Sequence, residues 1–294
     1  MTTRLTKPNW LKIQLPNTSE YNWMNKTIRD NNLHTICTSG KCPNAAECWG
    51  NRTATFMILG DICTRACKFC NVKTGKPAPV DVDEPLRIAQ SVKIMQLKHA
   101  VITSVDRDDL DDGGVAVWVN TIRKVRELNP KITMEVLIPD FQGKLQLVQQ
   151  VIDAKPEVIS HNMETTRRLT PIIRLRAKYD VSLSVLKYIA ESGIVAKSGI
   201  MLGLGETDNE VLETMNDLSG IGVEVFTIGQ YLQPSAKHIE VQEYVTPEKF
   251  KFFEEEGLKR GFKFVESSPL VRSSYHAEKH ARKSEELRTK SLKL

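Results

Sequence analysis

An α/β fold of parallel βα units is predicted by three features of this sequence. Short apolar, β-rich runs alternate with amphipathic helical stretches, successive runs are spaced by about 25–45 residues as strand-plus-crossover units require, and no internal repeat or low-complexity linker interrupts the pattern. The expected strands are Thr53–Leu59, Ala100–Val105, Ile132–Ile138, Glu157–His161, Val195–Leu202 and Val223–Leu232. The expected helices are Glu84–Lys98, Gly114–Leu128, Lys144–Asp153, Val181–Ser192 and Asp208–Gly220. Several open on acidic or hydroxyl residues and close near Gly, Asn or Pro, as helix boundaries do. Two arrangements fit six such units: an open doubly wound sheet, or a partial (β/α)6 TIM-like barrel. Both bind ligands beyond the carboxyl ends of the strands.

The chain has 294 residues, within reach of one large α/β domain. Its 40% hydrophobic content supports a buried core, and no apolar run approaches the roughly 18–20 residues that span a bilayer. The opening residues lack the apolar stretch of a secretory signal and do not read as a transit peptide. A cytoplasmic location is expected, because thiolates stay reduced there. The net charge of +5 gathers partly at the end, in Lys279–Lys283 and Arg288–Lys293, a tail expected to be a mobile helix or disordered. No basic patch is interleaved with aromatics for stacking, so neither nucleic acid nor membrane is an expected partner.

All six cysteines lie between Cys37 and Cys70. Cys37, Cys42 and Cys48 read C-x4-C-x5-C; Cys63, Cys67 and Cys70 read C-x3-C-x2-C. Disulfide frameworks belong to small secreted chains. Structural zinc takes four protein ligands, usually in paired spacings, and the nearest histidines, His34 and His99, are badly placed to complete either set. Thiolates on the irons of a [4Fe–4S] cluster fit better. Three cysteines hold three irons and leave one open, so two triplets imply two [4Fe–4S] clusters. The second triplet occupies the loop after the first expected strand, at the carboxyl end. The first lies in an N-terminal extension that is too short for its own core and must pack on the barrel.

C-x3-C-x2-C after a first strand, with Phe69 before its last cysteine, resembles the radical S-adenosylmethionine superfamily. The resemblance implies that Cys63, Cys67 and Cys70 hold a cluster whose fourth iron is chelated by S-adenosylmethionine. One electron then cleaves the sulfonium to a 5′-deoxyadenosyl radical. It also implies cofactor contacts at Phe69, at Gly113 and Gly114 of Asp111-Asp112-Gly113-Gly114, at Glu135 within the third strand, and at Asn162 after the fourth. A carboxylate such as Glu135 in an apolar strand needs a partner, and ribose or methionine contact would satisfy it. The segment from Arg167 to Arg176 could bind the cofactor carboxylate or acidic carrier domains, or be a solvated helix face. The histidines His34, His99, His238 and His276 read as structural.

The upstream triplet, with Asp106–Leu110, Gly229–Ser235 and Arg272-Ser273-Ser274-Tyr275, narrows the resemblance to the lipoyl synthase family over residues 8–277. That implies a partial barrel at 51–265, with an N-terminal extension at 1–50 and a C-terminal extension at 266–294 covering its mouth. It further implies that Cys37, Cys42 and Cys48 share an auxiliary cluster with a serine, Ser274 or else Ser273. Ser274 is the expected ligand; neighbouring residues of an extended segment point to opposite sides, so only one of the two should reach the iron. The implied reaction inserts two sulfur atoms, taken from the auxiliary cluster, at C6 and C8 of an octanoyl group on a carrier lysine. The implied partners are lipoyl carrier domains (2-oxoacid dehydrogenase E2 subunits and the glycine cleavage H protein), an electron donor such as ferredoxin or flavodoxin, and an iron–sulfur carrier protein. The alternative is a radical enzyme using the auxiliary cluster as an electron relay. Cys42→Ala should abolish sulfur insertion yet leave cofactor cleavage intact, checked by carrier mass and by 5′-deoxyadenosine release; loss of both would mean that the triplets do not act separately.

Overall fold

Seven parallel strands follow one another across a single sheet in chain order. They are β1 (Thr53–Ile58), β2 (His99–Ser104), β3 (Thr133–Leu137), β4 (Val158–Ser160), β5 (Val195–Leu202), β6 (Val225–Gln230) and β7 (Phe264–Ser267). A doubly wound sheet reverses its strand order at a switch point. This one never does, so it curls into a partial barrel. The computed structural model describes residues 6–12, 19–31, 33–40, 42, 44–50, 53–275 and 277–278; the basic tail and His276 lie outside them.

Each expected strand and helix is present, with ends shifted by a few residues. Crossovers are made by α4 (Glu84–Ile94), α5 (Val115–Leu128), α6 (Leu145–Asp153), α8 (Tyr179–Glu191), α9 (Asp208–Gly220) and α10 (Pro247–Lys259), with the short α7 (Thr170–Ile173) in the β4–α8 loop. The apolar stripes of these helices close the outer core, where Trp118, Ile122 and Val125 of α5 are fully buried. A capping box between Thr207 and Glu210 starts α9; such a cap is worth about 1 kcal/mol. The seventh unit, α10 and β7, was not expected. Its strand is four residues long, and it straddles the boundary drawn at residue 265.

The N-terminal extension supplies α1 (Ser19–Asp30), α2 (Ile36–Ser39) and α3 (Ala45–Gly50). It covers the free edge of β1: Met57 N–H donates to the His34 carbonyl at 2.9 Å, and Thr35 bridges Phe56 antiparallel. An open strand edge invites aberrant pairing, so the cover has a purpose of its own. Tyr21 stacks on Trp49 at 5.0 Å and ties α1 to α3. Among the described residues no helix is long and apolar enough to cross a membrane.

Inside the barrel, Glu135 and Lys197 are both 0% exposed and pair at 2.9 Å, while Ser160 donates to the other carboxylate oxygen at 2.7 Å. This corrects the expectation that Glu135 contacts the cofactor: protein groups already hold both of its oxygens. Burial alone would keep Glu135 protonated, but the Lys197 ammonium overrides it and lowers its pKa. Removing one member of such a pair strands the other charge, at a cost of about 3–5 kcal/mol. Lys197→Met should therefore lower the unfolding free energy of the metal-free chain by that amount in denaturant titrations, and Glu135→Leu/Lys197→Met should recover most of the loss.

Candidate active site

Apart from the first cysteine triplet, which lies in the N-terminal extension, the loops that carry the motifs leave the carboxyl ends of strands. The C-x3-C-x2-C loop follows β1 and is fastened to the ends of its neighbours. Thr64 N–H donates to the Asp106 carbonyl at 3.1 Å, and Lys68 N–H to that of Ile173 at 2.9 Å. His238 Nε2 donates to the Cys70 carbonyl at 3.0 Å, and Ile239 N–H to that of Lys68 at 3.2 Å. Phe69 packs with Leu169, Ile173, Leu204 and Tyr231. The loop after β6, which contains Gln233 and Ser235, thus lies against the cysteine loop.

Arg65, inside the cysteine motif, is buried among three aspartates. It reaches Asp106 at 3.3 Å, Asp108 at 2.8 Å and Asp140 at 2.7 Å. Burial pushes Asp106 up to about 6 against the pull of Arg65. Burial also opposes ionisation of Asp140, yet its two bonds from Arg65 hold it down at about 2. The guanidinium thereby locks the loop to the ends of β2 and β3, and the fork matches carboxylates as a lysine could not. Cys63 Sγ sits 3.7 Å from Asp106 Oδ2 and accepts backbone N–H bonds from Arg65 at 3.4 Å and Asp106 at 3.3 Å.

Cys63, Cys67 and Cys70 lie within electrostatic reach of one another. Burial raises all three thiols, Cys67 to about 12 and Cys70 to about 11. Cys37, Cys42 and Cys48 form a second such group, with burial pushing Cys37 up to about 12. All six thiols are free. Partly buried thiols held apart from a disulfide need a strong cation to ionise, and irons supply it. Beside Cys37 lies the buried Trp49 Nε1–H, a donor that a thiolate there would accept. The donor set fits an iron–sulfur cluster at each triplet. Among the described residues no three His, Cys, Asp or Glu side chains converge on a single-ion geometry.

The C-terminal segment lies against the first triplet. Asn44 Nδ2 donates to the Leu270 carbonyl at 2.7 Å, Tyr275 Oη to Glu47 at 3.1 Å, and the Arg272 guanidinium acts on Cys42. Gly229 permits this: a β-carbon there would meet the Val271 carbonyl oxygen at 2.1 Å. Ser273 and Ser274 are not extended, as the sequence suggested. Tyr275 N–H donates to the Arg272 carbonyl at 2.8 Å and closes a four-residue turn around them. Within it, Ser273 Oγ accepts from Asn162 at 2.6 Å, whereas the Ser274 hydroxyl makes no hydrogen bond to a described residue.

The glycines after β2 have packing reasons. Gly113 and Gly114 adopt positive φ of 56° and 82°, and a β-carbon on Gly114 would meet Leu59 at 2.5 Å. The Gly114 carbonyl accepts from Val117 and Trp118 to open α5. Of the arginine-rich segment, Arg167 and Arg168 pair with Asp180 and Glu210 on the outer surface, Arg176 approaches Asp108, and Arg174 turns inward. Arg174 Nη1 donates to the Met163 carbonyl at 3.2 Å and to Ser182 Oγ at 3.3 Å, while its Nε is buried without a partner. Glu164, which acts on Cys67 and Cys70, shares this corner, and burial raises its pKa against Arg174. Sequence reading missed Arg65 and Glu164. An arginine between two cluster cysteines was the available signal for the first; the second had none beyond its place after β4.

The barrel, its C-x3-C-x2-C loop and its mouth define a radical S-adenosylmethionine protein, and the model of the Radical SAM superfamily matches residues 57–218. Among solved structures, SuiB of Streptococcus suis bound to S-adenosylmethionine shares this fold at a TM-score of 0.58 and 13% identity, over 77% of this chain and 54% of that one. Methylornithine synthase shares it at 0.54 and 12%, over 88% and 85%. Within the superfamily the chain belongs to the lipoyl synthase family. The model of the N-terminal domain of lipoyl synthase matches residues 1–42. The lipoyl synthase of Parabacteroides distasonis is 63% identical over 95% of this chain and all of its own length; that of Treponema denticola is 63% identical over 95% and 97%. Membership makes the chain an enzyme and implies a [4Fe–4S] cluster and S-adenosylmethionine.

His161, buried behind Arg174, completes the support. Its Nδ1 donates to the Ile138 carbonyl at 2.9 Å, and its Nε2 accepts from Ser182 Oγ at 2.9 Å. Burial and the facing Arg174 and Arg65 hold it down at about 4, against the pull of Asp140. Below its ordinary value of 6.5 the unfolded chain binds a proton that the fold refuses. Stability should then fall as pH drops from 6.5 to 4, by up to about 1.4 kcal/mol per pH unit. His161→Gln should flatten that slope in denaturant titrations of the metal-free chain; an unchanged slope would place the titration elsewhere.

Proposed function

We propose that this chain inserts two sulfur atoms at C6 and C8 of an octanoyl group carried on a lysine of a lipoyl carrier domain. In this reading Cys63, Cys67 and Cys70 hold the cluster that binds S-adenosylmethionine. Cys37, Cys42 and Cys48 hold a second [4Fe–4S] cluster, with Ser274 on its fourth iron. When bound, the first cluster and its cofactor supply one-electron chemistry, and the second supplies sulfide. The observation that carries the reading is the docking of the Arg272–Tyr275 turn on the first triplet, with the Ser274 hydroxyl unengaged and that of Ser273 already bonded.

The chain's own residues divide the work. Arg65 fixes the radical loop, while Phe69 and its apolar neighbours line one side of the mouth and help to exclude water. Arg174, with a buried N–H lacking a partner, is placed to meet a carboxylate. The Asn162 Oδ1, also buried without a partner, is an acceptor that a bound donor would satisfy. A serine oxygen is a weaker match to iron than thiolate, so it leaves more readily, which suits a cluster that gives up sulfur. Holding sulfide beside the substrate carbon replaces a diffusional encounter with a positioned one.

Octanoylated E2 domains and the glycine cleavage H protein are the proposed substrates. Ferredoxin or flavodoxin is the proposed electron source, an iron–sulfur carrier protein the route of cluster repair, and the cytoplasm the site of action. Reconstituted protein given octanoylated carrier domain, S-adenosylmethionine and reductant should add two sulfur atoms to the carrier, read by intact mass, with loss of auxiliary iron. Product without iron loss would favour the electron-relay alternative, and no added sulfur with both clusters intact would overturn the activity.

A further inference from the structure

Asn162 joins the two halves of the site. It is 7% exposed, and its Nδ2 donates both to Ser273 Oγ at 2.6 Å and to Glu164 Oε1 at 3.1 Å. The amide can face only one way, because turned over it would aim its oxygen at the Glu164 carboxylate. Each end of this bridge is anchored. Glu164 has a φ of +65°, a left-handed conformation a glutamate adopts only where its surroundings impose it. Its N–H donates to the Gly199 carbonyl and its own carbonyl accepts from Met201, both at 2.9 Å, so β5 imposes it. At the other end, the Arg272–Tyr275 turn is clamped by Gly229, Asn44 and Glu47. The first two hold the backbone entering the turn, and the third holds the Tyr275 side chain at its end. Among the described residues, only the Asn162 bond holds a side chain at its tip, that of Ser273.

We propose that Asn162 is a positioning residue for the iron-ligating serine. By holding Ser273 it fixes the rotation of the turn, so that Ser274 faces Cys37, Cys42 and Cys48. Because the same nitrogen bonds Glu164, whose charge acts on Cys67 and Cys70, the hold on the serine depends on the corner beside the radical triplet. The geometry thus makes ease of serine release a property of both sites. This inference rests on the reading that Ser274 ligates the auxiliary cluster, and its test separates the two.

The experiment uses the full chain with Cys63, Cys67 and Cys70 replaced by alanine and the auxiliary cluster reconstituted. The readouts are the rate at which a ferrous chelator removes the first iron and the Mössbauer signature of the unique iron site. Ser274→Ala, Asn162→Ala and Ser273→Ala should each speed loss of the first iron about tenfold while the remaining three irons stay bound. Asn162→Ala/Ser273→Ala should be no faster than either single change, because both remove one contact. Acceleration by Ser274→Ala with none by Asn162→Ala would overturn the positioning role and leave the ligand in place. No acceleration by Ser274→Ala would overturn the ligand, and the positioning role with it. Additive rates in the double variant would show that Asn162 acts on the iron by another route. Loss of all four irons from Asn162→Ala, with Ser273→Ala intact, would assign Asn162 to the fold instead.

Discussion

The carbonyl oxygen of Val271 occupies the place a β-carbon on Gly229 would take, and the arrangement of the mouth depends on that contact. It lets the chain leaving β7 fold back flat over the end of β6 and reach the N-terminal extension, 226 positions away in sequence between Asn44 and Leu270. The cost of holding such distant segments together is entropic. It is met by a packed extension, several backbone bonds and the burial of Val271 and Ala277. Without that closure the first cysteine triplet would have no fourth side, and the serines would lie far from it.

The radical side is built on a different device. A loop carrying three cysteines is irregular and gains little from packing, so Arg65 anchors it by charge. Arg65 meets three carboxylates at once, with Arg176 beside Asp108 on the outer side. In the proposed reading, with Cys63 holding a cluster, a carboxylate 3.7 Å from its sulfur would raise the cost of adding an electron, whereas two backbone N–H donors to the same sulfur would lower it. The loop's fixation and its electrostatics come from one network.

Beneath the mouth, the Glu135–Lys197 pair shows that a polar residue in a barrel strand need not be functional. Its position invites a functional reading, because an acid in an apolar strand looks costly. The cost is offset by a hydroxyl on the next strand and an ammonium on the strand beyond it, and linear sequence does not show which of these side chains will meet inside the barrel.

By itself the sequence determined the order of βα units, the two cysteine triplets and the family. These are local: periodicity of 2.0 and 3.6 residues and fixed spacings within short loops are written in consecutive residues. Only the tertiary structure decided that the sheet keeps chain order and curls, that a seventh strand closes on β6, and that Glu135 belongs to the core. It also decided that Ser273 and Ser274 sit in a turn with one hydroxyl bonded and the other unengaged. Each of these depends on pairs of residues tens to hundreds of positions apart, such as Asn162 with Ser273, whose meeting follows from the packing of the whole barrel.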